Sequence, residues 1–386
     1  MKFRNLIVTT ISLVVASPFI LSAASPTKSD YVKQKYLIKN AALGADDNNH
    51  AGRRIGIHSG NKIFTRFTNY GGIADYTVPG RFDSGIYPIG SGRSYLAEFS
   101  PIVAAETPNA KSGAPAHILS EGTPVDTDKP SGANYLWQFE PILGYANNND
   151  SLIAMSDDSL SWPDSWADLP SDWDGAWAGQ YGKYSRADQE SYFHMDDFNN
   201  DEFSHYPILV DPDVHYGELV EIADSDSSEF GILTDMTISF DGLVRDVERA
   251  TALSSRDGRR PDVIRILDDD ENMNNDKWYE IEAVLNDNQI LVKSMLNAAV
   301  ALPAGSEYMI YDGFKRGVGV DVAARGYQWA HPAAEDILIF TYWIRNISSW
   351  DYQKFIFGMY GDADVGDASP VSEHHHDDAW FDTMND

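Results

Sequence analysis

From Ile55 onward the chain is cut into short apolar and aromatic runs by Gly, Pro, Asn and Asp. Residues 62–67, 95–102 and 135–139 are examples, each only a few residues long and bounded by turn chemistry such as Asn69–Gly72 and Gly90–Gly92. Runs of that length suit strands better than amphipathic helices, and closely spaced strands separated by turn residues pair antiparallel. The pattern predicts an all-β chain. At 43% hydrophobic and 12% aromatic residues it has enough apolar side chain to build a substantial core, so global disorder is not expected.

The end of the chain carries the strongest strand signals. Val318, Val320, Val322 and Ala324 alternate with Gly319, Asp321 and Ala323 as a half-buried strand should, and Ile337–Ile344 is a continuous apolar strand. After the turn at residues 346–351, the run 352–360 is expected to pair back on it, as neighbouring strands do in an immunoglobulin-like sandwich. Within residues 214–312, strands are predicted at 262–267, 278–285, 289–293 and 307–311, with Asn286-Asp287-Asn288 as a tight connection. They suggest an inserted small β module, a barrel or sandwich. Residues 240–254 are spaced for one helix, with Leu243, Val247, Ala250 and Leu253 on a face.

Residues 147–201 are rich in Asp, Asn and Trp, with Trp162, Trp166, Trp173 and Trp177 spaced by Pro, Gly and Asp. This long irregular segment is expected to wrap a domain and pin itself by inserting indoles, because large aromatics dominate the burial of irregular chain. A row of exposed indoles stacking on sugar rings is the competing reading.

Lys2 and Arg4, the apolar stretch Leu6–Leu21 and the small-x-small site Ser22-Ala23-Ala24 read as a cleaved export signal. No later stretch is long and apolar enough to span a membrane. The expected organisation is a signal at 1–24, a polar lead-in at 25–54, a first β-rich part at 55–213 that includes the Trp-rich segment, the inserted module at 214–312, and a second sandwich part at 313–386. The approach to a further strand at Trp380–Asp382 suggests that chain continues beyond Asp386. A chain exported without any cysteine must be held by core burial, which bound ions can supplement. A net charge of −30 repels nucleic acid and anionic headgroups, so neither is expected as a partner.

Three acidic loops place oxygen ligands at every second residue, the spacing that lets a loop fold around calcium. They are Asp197-x-Asn199-x-Asp201, Asp268-x-Asp270-x-Asn272, and Asp362-x-Asp364 with Asp367 beyond Gly366. None completes an EF-hand: Glu202 and Met273 stand where that loop needs Gly, and no bidentate Glu closes either of the first two. A solvated Asx-rich turn explains each without metal. His374–His376 with its flanking acids reads as a solvated linker, since adjacent strand residues point to opposite faces. Nucleophile elbows, zincin helices, phosphate loops and dinucleotide fingerprints are absent, and no catalytic residue is assigned.

Several phrases together resemble a group of large exported bacterial proteins, many with C-terminal type IX secretion sorting domains. They are residues 61–71, 162–166, 188–197, 325–329, Glu335-Asp336 and 357–366. The likeness covers roughly 55–212 and 313–386 and skips 214–312, in keeping with an insertion. It implies a β-rich, multi-domain surface or secreted protein and transfers no activity. The sequence thus points to an exported structural or adhesive protein, stabilised by calcium, with glycans or other surface proteins as partners. The alternative is a carbohydrate-binding or carbohydrate-active protein using the Trp-rich segment.

Overall fold

The computed structural model describes residues 52–74, 85–89, 91, 93–96, 98–108, 115–122, 139–147, 152–198, 205–222, 229–252, 260–267, 277–295, 301–362 and 366–367. The signal, nearly all of the lead-in and the His374–His376 run lie outside them. Among the described residues strand outweighs helix 48% to 5% and the paired strands run antiparallel, an all-β architecture. No helix among the described residues is long and apolar enough to cross a membrane.

One sheet has the order β15-β14-β7-β6, formed by β6 (Glu140–Pro141), β7 (Gln189–Asp196), β14 (Val320–Gln328) and β15 (Leu338–Asn346). A second has the order β16-β4-β5, formed by β4 (Glu98–Pro108), β5 (Pro115–Glu121) and β16 (Phe355–Asp362). A hairpin of β1 (Ile55–His58) and β2 (Thr65–Thr68) adjoins it through bridges at Ile73 to Phe67 and Phe99. The two sheets share one apolar cluster. Phe67, Val103, Ala105 and Ile118 come from the second side, and Phe193, Met195, Val320, Val322, Ala324, Tyr342 and Ile344 from the first. A further pair, β3 (Arg93–Ser94) with β17 (Gly366–Asp367), is bridged through Ser94 to Ile86.

The run after the 346–351 turn departs from expectation. β16 pairs with β4 over eight residues, Phe355↔Ala105 to Asp362↔Glu98, and not with β15. The turn carries the chain across the core, so that Tyr342 and Phe357 meet ring to ring at 5.9 Å from opposite sheets. β14 is also more deeply set than an alternating half-buried strand. Eight of its nine residues are buried, because its second face is covered too.

Six strands between His215 and Tyr311 form a closed barrel in the order β10-β11-β12-β9-β8-β13. Its strands are β8 (His215–Glu221), β9 (Phe230–Thr234), β10 (Val263–Ile266), β11 (Lys277–Asn286), β12 (Gln289–Ser294) and β13 (Leu302–Tyr311). Asn286-Asp287-Asn288 makes the β11–β12 hairpin, with Asn286 Oδ1 accepting from the Asn288 N–H. Leu219, Leu233, Ile264, Tyr279, Ile281, Ile290, Val292, Tyr308 and Ile310 fill the interior, as a small barrel requires. The expected helix over 240–254 is confined to α1 (Val247–Ala252). Phe240 and Val244 instead join the barrel core before the helix starts, and Leu253 is outside the described residues.

The barrel meets the sheets through an aromatic seam of Tyr206, Trp278, Tyr311 and Trp350, in which the Trp350 indole N–H donates to the Tyr206 carbonyl. At its neck the entering and leaving strands run side by side. Val210 N–H donates to Ile310 O, and Asp312 N–H to Ile208 O, both at 2.8 Å.

Candidate functional site

The first acidic loop begins with a carboxylate already in use. Asp197 is fully buried, and its two oxygens accept from Ser120 Oγ and from the N–H groups of Val318, Gly319 and Val320. Gly319 reaches it at φ +75, and a Cβ there would strike Pro207. Four donors use about the four lone-pair directions a carboxylate has. Asp197 therefore fastens β5, β7 and the lead into β14, and it is withdrawn from the calcium set. Burial raises its pKa to about 6 against the pull of those donors. Asp362 is exposed at the end of β16 opposite Glu98, and Asp367 lies on β17 opposite Arg93, so these two sit on different sheets. Asn199, Asp201, Asp268, Asp270, Asn272 and Asp364 lie outside the described residues.

The densest group of titratable side chains lies on the other face of the first sheet. Strand alternation sends Tyr192 and His194 of β7 away from the apolar core that takes Phe193 and Met195. Across the ladder, Arg325 of β14 stands opposite Tyr192, and Asp321 stands opposite Arg345 of β15. A chain of hydrogen bonds results. His194 Nδ1 contacts Asp321 Oδ1 at 3.1 Å, His194 Nε2 contacts the Tyr192 hydroxyl at 2.7 Å, and that hydroxyl reaches Asp168 Oδ2 at 2.6 Å. Arg345 pairs with the second oxygen of Asp321. Tyr145 stacks on the imidazole at 4.1 Å, and the Arg325 guanidinium lies 3.6 Å over the Tyr192 ring.

The Tyr192 hydroxyl donates to Asp168, which leaves Asp168 as the terminal acceptor of the chain. Burial alone would raise the Asp321 pKa, but His194 and Arg345 outweigh it and hold it below the ordinary value. Burial, then the Asp168 charge, holds the Tyr192 phenol well above its usual range. Tyr192, His194 and Asp321 are all buried, so the chain ties elements together and exposes little to a substrate.

Asp168 belongs to the Trp-rich segment, so this chain clasps that segment to the sheet. The indoles complete the attachment. Trp166 and Trp177 are each 2% exposed and pack with Tyr145 and Tyr192. The N–H groups of Trp162, Trp166 and Trp177 donate to Met155 O, Ala176 O and Glu190 Oε2. Glu190 also accepts from the N–H groups of Arg186 and Ala187, which anchors the segment's far end. The four tryptophans do not present an open row of faces. The exposed aromatics are instead Tyr181 and Tyr184, 64% and 61% exposed, with Arg186 against both.

Sequence reading missed the clasp. Its visible signal was the period-two placement of Tyr192 and His194 among Phe193 and Met195; the partner Asp321 is 127 residues away. No family model, curated protein or solved structure matches the chain.

Proposed function

We propose that this chain is an exported structural or adhesive protein of the cell surface, its two sheets forming an immunoglobulin-like sandwich with a barrel set into one connection. The carrying observation is the Asp168–Tyr192–His194–Asp321 clasp, in which charged and aromatic groups fasten an irregular segment in a chain that has no cysteine. Asp197 works in the same way. The chain invests its buried polar groups in rigidity, as a surface module outside the cell needs. The apolar leader and the likeness to type IX-sorted proteins support export.

Calcium belongs to this reading at Asp268-x-Asp270-x-Asn272, whose sequence spacing offers oxygen ligands at every second residue. Partners are glycans or other surface proteins rather than nucleic acid, given the charge of −30. The test is fractionation of producing cells with protease shaving. The mature chain is expected outside the cytoplasm and accessible to added protease; retention inside intact cells would overturn the proposal.

A further inference from the structure

The Trp-rich segment buries two of its tryptophans yet leaves two tyrosines in solvent. Tyr181 sits at the tip of a tight turn closed by the Gly179–Gly182 bridge, and Tyr184 follows it. The turn is rigidly backed. Gln180 Oε1 accepts from the Tyr327 hydroxyl, the Arg186 carbonyl accepts from the Trp329 indole, and the Arg186 N–H is held by Glu190. Gly179 leaves no room for a side chain, since a Cβ would lie 2.2 Å from the Tyr184 carbonyl. A turn so fixed presents its rings in one orientation, which lowers the entropy lost on binding.

Charge placement identifies what these rings face. Lys183 and Arg186 are the only lysine and arginine between 140 and 201, and both sit here. Lys183 is engaged by Asp172 and lies over Trp173. Arg186 has its guanidinium 5.0 Å from the Tyr181 ring and 5.6 Å from the Tyr184 ring, and among the described residues it pairs with no carboxylate. In a chain with 59 acids against 29 bases, an exposed arginine without an acidic partner is an exception that asks for an anion. A guanidinium that stacks by its face keeps its in-plane N–H fork for a bidentate carboxylate. The acids of this segment have other contacts: Asp172 pairs with Lys183, Asp188 accepts from the Ala330 N–H, and Glu190 accepts from the turn itself. The bulk charge of the chain is screened over about 8 Å at physiological salt, so the local fork governs a ligand lying on it.

We propose that the Tyr181–Arg186–Tyr184 clamp binds a saccharide carrying a carboxylate, with sugar faces against the tyrosine rings and the acid on the Arg186 fork. This rests on the extracellular reading above and names the ligand class that reading leaves open.

Calorimetric titration of the full chain with oligogalacturonate, a sulfated oligosaccharide and a neutral oligoglucan of equal length tests it. Oligogalacturonate is expected to bind at least about tenfold more tightly than the other two. Arg186→Ala is expected to lower that affinity about tenfold or more, and Arg186→Lys several-fold, since lysine keeps the charge but loses the fork. Tyr181→Ala, at a solvent-exposed tip, is expected to weaken binding several-fold with an unchanged melting temperature, which separates recognition from folding. No heat with oligogalacturonate, equal or tighter binding of the sulfated or neutral oligomer, or an unchanged affinity in Arg186→Ala would each overturn the assignment. Cytoplasmic retention in the fractionation experiment would remove the export reading while leaving these titrations to be read on their own.

Discussion

The barrel and the Trp-rich wrap are held by opposite means. The barrel closes six strands on an interior of Leu, Ile, Val and Tyr, so its backbone groups pair with each other and its order follows from apolar filling. The wrap, over residues 157–187, has only two short 3-10 turns of regular structure. It is held by specific donors and acceptors: three indole N–H bonds, the Asp168 hydroxyl contact and the Glu190 anchor. Apolar filling tolerates adjustment, whereas a buried polar network loses much when one member is removed.

The largest break is expected in the clasp. Asp321→Ala leaves Arg345 and His194 without their shared acceptor and should cost about 3–5 kcal/mol in urea unfolding, with new protease cleavage inside 157–187. In the barrel, Ile281→Ala should cost about 3 kcal/mol by opening a cavity at a fully buried position. Cleavage of the wrap should be unchanged in that variant; equal cleavage in both would show that the two regions unfold as one.

Acid is the next lever, and it acts on the sheets. Burial lowers the pKa values of His58 and His205 to about 3. The unfolded chain takes a proton near pH 6.5 that the folded chain refuses, so stability is full above that pH and falls as pH drops towards 3. At pH 5 the loss is about 2 kcal/mol per histidine. Asp196 and Asp197 oppose this. Burial raises them to about 8 and about 6, so the folded chain holds protons the unfolded chain releases, and their contribution falls as pH rises from about 4 to those values. Unfolding of His205→Asn against the parent between pH 7 and 5 isolates the histidine: the variant should lack about 2 kcal/mol of the parent's loss.

A smaller effect is expected from Trp177→Phe, which keeps the ring but removes a donor to buried Glu190, at about 1–2 kcal/mol by denaturant unfolding. The smallest concerns the ion. Excess calcium over chelator should raise the melting temperature by about 2–4 °C, and Asp270→Asn should abolish the rise; no shift would remove calcium from the description.

Local pattern made the barrel hairpin at Asn286–Asn288 and the strands around it readable, because turn chemistry and alternation act over a few residues. The insertion of indoles was readable for the same reason, since Trp166 and Trp177 have nowhere else to bury in a segment without strands. Pairing of β16 with β4 was not, because residues about 250 apart leave no periodic trace of one another. The helix over 240–254 failed where Phe240 and Val244 found the barrel interior first. Asp197 looked like a cation ligand because a carboxylate in an Asx-rich stretch looks the same whether N–H groups or a metal will satisfy it.

The neck of the barrel has a consequence for how the chain assembles. β7 and β14 are neighbours in the first sheet but are separated in the chain by more than a hundred residues, and closing a flexible loop of that length costs about 4 kcal/mol of entropy. Ile208 and Asp312 are hydrogen-bonded side by side, so a barrel that folds first delivers both strands to one place and shortens the search to a few residues on each side. The insertion then acts as a staple for the sheet that hosts it. A host lacking residues 212–309, rejoined by a two-residue turn, should close its central ladder as readily as the complete chain.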